Sequence, residues 1–219
     1  MCGRCYDSAA LLLFTRPGQL TIDFIERRRA RQIPPLRLFL VFFAVYFFFA
    51  ADAVSLQSLR ESPLGRKTVT DLAATQGVSV DEYVAQNNHL FDTSVKLAWA
   101  GDVVVTAFGY WLLFRKRRAY LVEHLVMAAH LGCVSVTVKC ASTILLPVMR
   151  YAWPAIVART PSPFSLQIVA ILVYSLFAGR RVYAEPWSTL LLKTVVIRSV
   201  AVAAWLLIAM VVAIAVLYL

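Results

Sequence analysis

"RAYLVEHLVMAAHLGCVSVTVKC", Arg118 to Cys140, has the apolar density of a helix that lives in lipid, yet it carries Glu123, His124, His130 and Lys139. Ionisable side chains inside a bilayer are costly unless neighbouring protein shelters or pairs them. The stretch therefore reads as one member of a bundle whose polar residues face other helices. The chain around it agrees: 60% of its 219 residues are hydrophobic and the mean hydropathy is +0.71, values of a polytopic membrane protein.

A spanning helix needs about 20 apolar residues. Five stretches approach or exceed that length: 36–56, 95–114, 121–148, 164–179 and 190–219, the fourth being the shortest. The expected fold is an all-α transmembrane bundle of about five spans. Its basic clusters, "RRRAR" at 27–31, "RKRR" at 115–118 and "GRR" at 179–181, fall on one side if the spans alternate. That side collects 15 of the 22 Lys and Arg residues, which places the N-terminus in the cytoplasm and the C-terminus outside. Cations confined to the ends of apolar runs explain the net charge of +10 without nucleic acid.

Depth then sorts the polar residues. Glu123 and His124 lie about 8 Å from Arg118 at 1.5 Å per residue, close to the headgroups. His130 lies about 18 Å in, near the midplane, where a hydroxyl such as Ser135 or Thr106 is the simplest partner. Lys139, Asp52 and Asp102 fall in the outer layer, so Lys139 is expected to meet one of the two carboxylates. If the last span uses only the uncharged residues 199–219, Arg198 sits at the cytoplasmic boundary and meets Glu123. Glu123 and His130, seven residues apart, return to nearly the same face and could line a polar track.

Residues 1–35 read as a cytoplasmic segment, ahead of a bundle at 36–219 with an outer helical loop at 57–94. Between Pro17 and Pro34 the pattern predicts an amphipathic helix of about four turns. Leu20 and Phe24 share a face suited to the acyl boundary, and Arg27, Arg28, Arg29 and Arg31 suit anionic phospholipid headgroups. In the outer loop, "TVTDLAATQG" ends at Gly77, and the Ser79/Glu82 capping box opens a second short helix over "SVDEYVAQNN".

"RPGQLTIDFIERRRARQIPPLRLFLVFFAVYFF", "RRAYLVEHLVMAAHLGCVSV" and "GRRVYAEPWSTLLLK" together resemble a family of uncharacterised bacterial inner-membrane proteins. That family carries an Arg-Pro-Gly, a basic turn, Pro-Pro-Leu-Arg-Leu, and later a Glu-His-Leu-Val segment followed by His. The resemblance implies a bacterial inner-membrane location and architecture, and no reaction. This chain departs from the family at Glu26, where Gly is usual, and at its start, where a fuller cysteine-rich zinc ribbon is reduced to "MCGRC".

Cys2 and Cys5 have the spacing of two ligands on one metal, whereas a closed structural zinc site needs four. Two readings stay open: reduced cytosolic thiols, or a half-site completed by a second chain. No catalytic signature of the commoner kinds stands out. The expected function is a non-enzymatic subunit, assembly factor or scaffold working with itself or a membrane-complex partner. The alternative is a small transporter or proton pathway through Glu123 and His130.

Overall fold

The computed structural model describes residues 11–26, 33–49, 60, 63–152 and 163–218. Its elements are α1 (Gln19–Ile25), α2 (Pro35–Phe49), α3 (Pro63–Gln76), α4 (Val80–Phe114), α5 (Leu121–Ala152), α6 (Pro163–Tyr183) and α7 (Trp187–Tyr218). A helical turn at 11–15 precedes α1. All regular structure among the described residues is helical.

Among the described residues three helices are long and apolar enough to cross a membrane: α4, the 121–145 part of α5, and the 187–208 part of α7. The other two expected spans correspond to α2, apolar but only 15 residues long over its described part, and α6, 21 residues with Arg180 and Arg181 in its last turn. Helices α4, α5, α6 and α7 form a closed ring in which each packs against the next, and α2 lies on the outside of α5. The connections 115–120 and 184–186 put Arg115–Arg118, Arg180 and Arg181 at one end, here called the basic end.

Helix α5 is central, touching α2, α4, α6 and α1. Of its most apolar stretch 61% is buried, against 33% for α4 and 17% for α7. This central placement is why α5 tolerates polar residues that a lipid-facing helix would not. At Gly132 an added Cβ would fall 2.8 Å from the Phe39 ring and 3.0 Å from Val103, so α2 and α4 approach α5 through the space a side chain would fill.

The N-terminal segment is built into this bundle. Residues 11–15 and α1 form a hairpin around Pro17 and Gly18, set against α5 and α6. Gly18 adopts φ +79°, a left-handed conformation that glycine takes without strain. Its Cα faces the backbone of α6, where an added Cβ would lie 2.7 Å from the Ala178 carbonyl oxygen. Tyr174 donates to the Leu13 carbonyl at 2.8 Å, and Arg181 donates to the Pro17 carbonyl at 3.2 Å.

Of the face expected to dip into acyl chains, Leu20 packs on protein, while Phe24 is half-buried. Leu13 and Leu20 are buried in a cluster with Phe39, Ala128, Cys133 and Val134. Lipid tails are as apolar as leucine, so burial alone does not favour this arrangement. Close packing and the hydrogen bonds to otherwise bare carbonyls do. The expected four-turn helix shrinks to the seven residues of α1, with Glu26 as its C-cap. Pro35 opens α2 as its first residue, a position that needs no amide hydrogen.

At the far end, Gly77 ends α3 at φ +69°, and the Ser79 side chain accepts from the Glu82 amide, as the turn chemistry implied. The following helix does not stop near Asn88. It runs 35 residues in all, from Val80 to Phe114, about 52 Å at 1.5 Å per residue, so the outer loop's second helix and the second span are one.

Candidate functional site

The polar residues of the bundle interior form three groups at successive depths. The first is at the basic end, where His124 is fully buried. Its Nε2 donates to the Arg118 carbonyl at 3.1 Å, which leaves Nδ1 as an acceptor for the Tyr183 hydroxyl at 2.9 Å. The imidazole stacks on the Tyr183 ring, which stacks in turn on Phe114 at 4.2 Å between centroids. Lys193 lies over the Phe114 ring at 4.5 Å and binds both oxygens of Glu185 at 2.8 Å. Arg117 adds a longer contact to the same carboxylate at 3.8 Å.

Glu123 pairs with Arg118 at 3.4 Å. The expected Glu123–Arg198 contact does not form, because α7 begins at Trp187 and carries Arg198 eleven residues inward. At 1.5 Å per residue that is about 16 Å from the helix start. The helix includes the charge and does not begin after it.

The second group is His130, 2% exposed, held by Thr21 of the hairpin at 2.8 Å between Nδ1 and Oγ1. Thr21 also reaches the Met127 sulfur at 3.8 Å. The partner anticipated on the bundle helices, Ser135 or Thr106, comes instead from a segment more than a hundred residues away. His130 Nε2 is buried without a hydrogen-bond partner among the described residues.

The third group is at mid-bundle. Arg198 of α7 pairs with Asp102 of α4 at 3.8 Å, beside a cavity of about 70 Å³. Gln167 of α6 and Ser135 of α5 also line it, so all four helices of the ring contribute a polar group. Asp102 lies about 18 Å from Phe114 at 1.5 Å per residue, level with Arg198 on its antiparallel neighbour. Asp102 is thus held by Arg198 and not by Lys139, which forms no ion pair among the described residues.

Buried hydroxyls extend from this cavity toward the basic end: Thr106, four residues past Asp102 and beside its carboxylate, then Tyr110 eight past Asp102 and Thr194 four before Arg198, the last two without a hydrogen-bond partner among the described residues. Such groups ordinarily take up ordered water. At the opposite end Lys96, 4% exposed, pairs with Asp92 at 2.6 Å.

Asp52, Cys2, Cys5, Arg27, Arg28, Arg29 and Arg31 lie outside the described residues. Among the described residues no group of three or more His, Cys, Asp or Glu side chains could hold a metal ion. Sequence reading missed Thr21, Tyr183, Glu185, Gln167 and the Asp92–Lys96 pair. The 102/106/110 and 194/198 spacings, polar residues at i and i+4 in apolar helices, were a legible sign of the inward stripe.

The described residues thus form an all-helical bundle with three helices of membrane-spanning length and apolarity around a paired polar interior, an architecture compatible with a helical membrane protein. Over residues 9–47 the chain matches the family described as "Protein of unknown function (DUF3667)". The matched part contains the hairpin and nearly all of the described part of α2. No curated protein and no solved structure matches the chain.

Proposed function

We propose that the chain is a multipass protein of the bacterial inner membrane that serves as a non-catalytic subunit or scaffold. The N-terminus and basic end face the cytoplasm, and the C-terminus faces outside. The observation that carries this reading is the hairpin docked on α5 and α6, held by Thr21–His130 and Tyr174–Leu13. In sequence the hairpin is flanked by Cys2 to Cys5 and by Arg27 to Arg31. The arginines would bind anionic headgroups, and the two thiolates would offer half of a zinc site to a second copy or a partner subunit.

Affinity purification at native expression tests the proposal. A stoichiometric partner or a second copy is expected, lost when Cys2 and Cys5 become Ser. A protein that elutes alone, with no zinc, contradicts it.

A proton pathway is the second reading, favoured by the unpartnered Nε2 of His130. Proton flux into liposomes should then vanish in His130→Ala and Glu123→Gln. Flux equal to that of the unmodified protein in both variants removes these residues from any such path.

A further inference from the structure

The contact between Arg198 and Asp102 uses only Nη1 of the guanidinium. Nε and Nη2, the two donors of its side-on edge, are both buried and have no partner among the described residues. These two parallel N–H groups match the oxygen spacing of a carboxylate, the geometry for which arginine is suited and lysine is not. Two further donors are buried and unpartnered on residues lining the same cavity, Gln167 Nε2 and Trp99 Nε1. Leaving a buried donor bare costs about 1–3 kcal/mol. Four of them on one cavity call for an occupant rich in acceptors.

Charge restricts that occupant. Asp102 already balances Arg198, so a bare anion would leave the interior with a net negative charge, unfavourable at this depth. A solute that brings its own cation keeps the site neutral. Size favours a small solute over a single water, because the cavity of about 70 Å³ exceeds the roughly 10–15 Å³ that one water needs.

We infer that this four-helix cavity binds a small amino-carboxylate zwitterion, its carboxylate on the side-on edge of Arg198 and its ammonium beside Asp102. Gln167 and the Trp99 indole N–H supply further donors to the carboxylate, and the ring faces of the edge-to-face Trp99–Trp205 pair, with centroids 6.2 Å apart, line one side of the cavity.

The test is calorimetric titration of the full chain in phosphatidylcholine nanodiscs with glycine, L-alanine, acetate and methylammonium at constant ionic strength. Saturable binding of glycine or alanine, at least tenfold tighter than acetate and methylammonium, is expected. Arg198→Lys keeps the charge but loses the planar edge and should weaken binding at least tenfold. Gln167→Leu leaves the ion pair intact and should weaken it several-fold, with unfolding of the unliganded protein measured to confirm that both variants fold. Acetate binding as tightly as glycine, no saturable binding by either amino acid, or an unchanged affinity in Gln167→Leu and Arg198→Lys would overturn the assignment.

Discussion

Replacing Gly18 by alanine should release the N-terminal hairpin from the bundle. Two costs combine. The backbone sits at φ +79°, where an L residue is strained by about 1–2 kcal/mol. The new Cβ would also meet the Ala178 oxygen at 2.7 Å and its Cα at 3.0 Å. Both are backbone atoms of α6, which cannot rotate away as a side chain does. Overpacking of this kind costs about 1–3 kcal/mol, for a total of roughly 2–5 kcal/mol. The hairpin's hydrogen bonds through Thr21, Leu13 and Pro17 contribute about 1 kcal/mol each, so the hairpin should undock rather than hold the strain.

Gly77 is the internal control. It has φ +69° with nothing within 4 Å of an added Cβ, so Gly77→Ala isolates the backbone term. Hydrogen exchange in nanodiscs, read over residues 11–26, should lose protection in Gly18→Ala and stay unchanged in Gly77→Ala. Denaturation should show a loss larger for Gly18→Ala by the steric term of about 1–3 kcal/mol. Equal stabilities, with hairpin protection intact in both variants, would refute the docking.

Thr21→Val removes the Thr21–His130 bond at nearly constant volume, and should destabilise the hairpin by about 1–2 kcal/mol in the same exchange measurement. Tyr183→Phe leaves His124 Nδ1 without its donor, and a thermal unfolding scan should show a loss of about 1–2 kcal/mol. Ala184 holds φ +51° in the turn between α6 and α7, so Ala184→Gly should relieve strain and stabilise the protein by up to about 1 kcal/mol. A destabilised Ala184→Gly would contradict that turn conformation.

Element ends were readable where the chemistry is local. Pro35, the Gly77/Ser79 pair and the basic run after Phe114 each mark a boundary that the structure keeps. The interior was less legible for two reasons. Counting uncharged residues treats a charge as the edge of a span, but Arg198 is carried inside because Asp102 meets it at the same level. Similarly, "NNHLFDTSVK" looked like the end of a loop helix. Its Asp92 and Lys96, four residues apart, pair with one another and let α4 run on. The partner of His130 could not be read at all, because nothing near Thr21 in the chain indicates that its segment folds back against α5 and α6.

The central claim is that α4 carries the chain through a bilayer, with the basic end on one side and α3 on the other. Single cysteines at Lys67 and at Lys116, in a chain otherwise free of cysteine, can be labelled by an impermeant maleimide from each side of sealed vesicles. The account predicts labelling from opposite sides, with Lys116 on the cytoplasmic one. Labelling of both positions from the same side would contradict it.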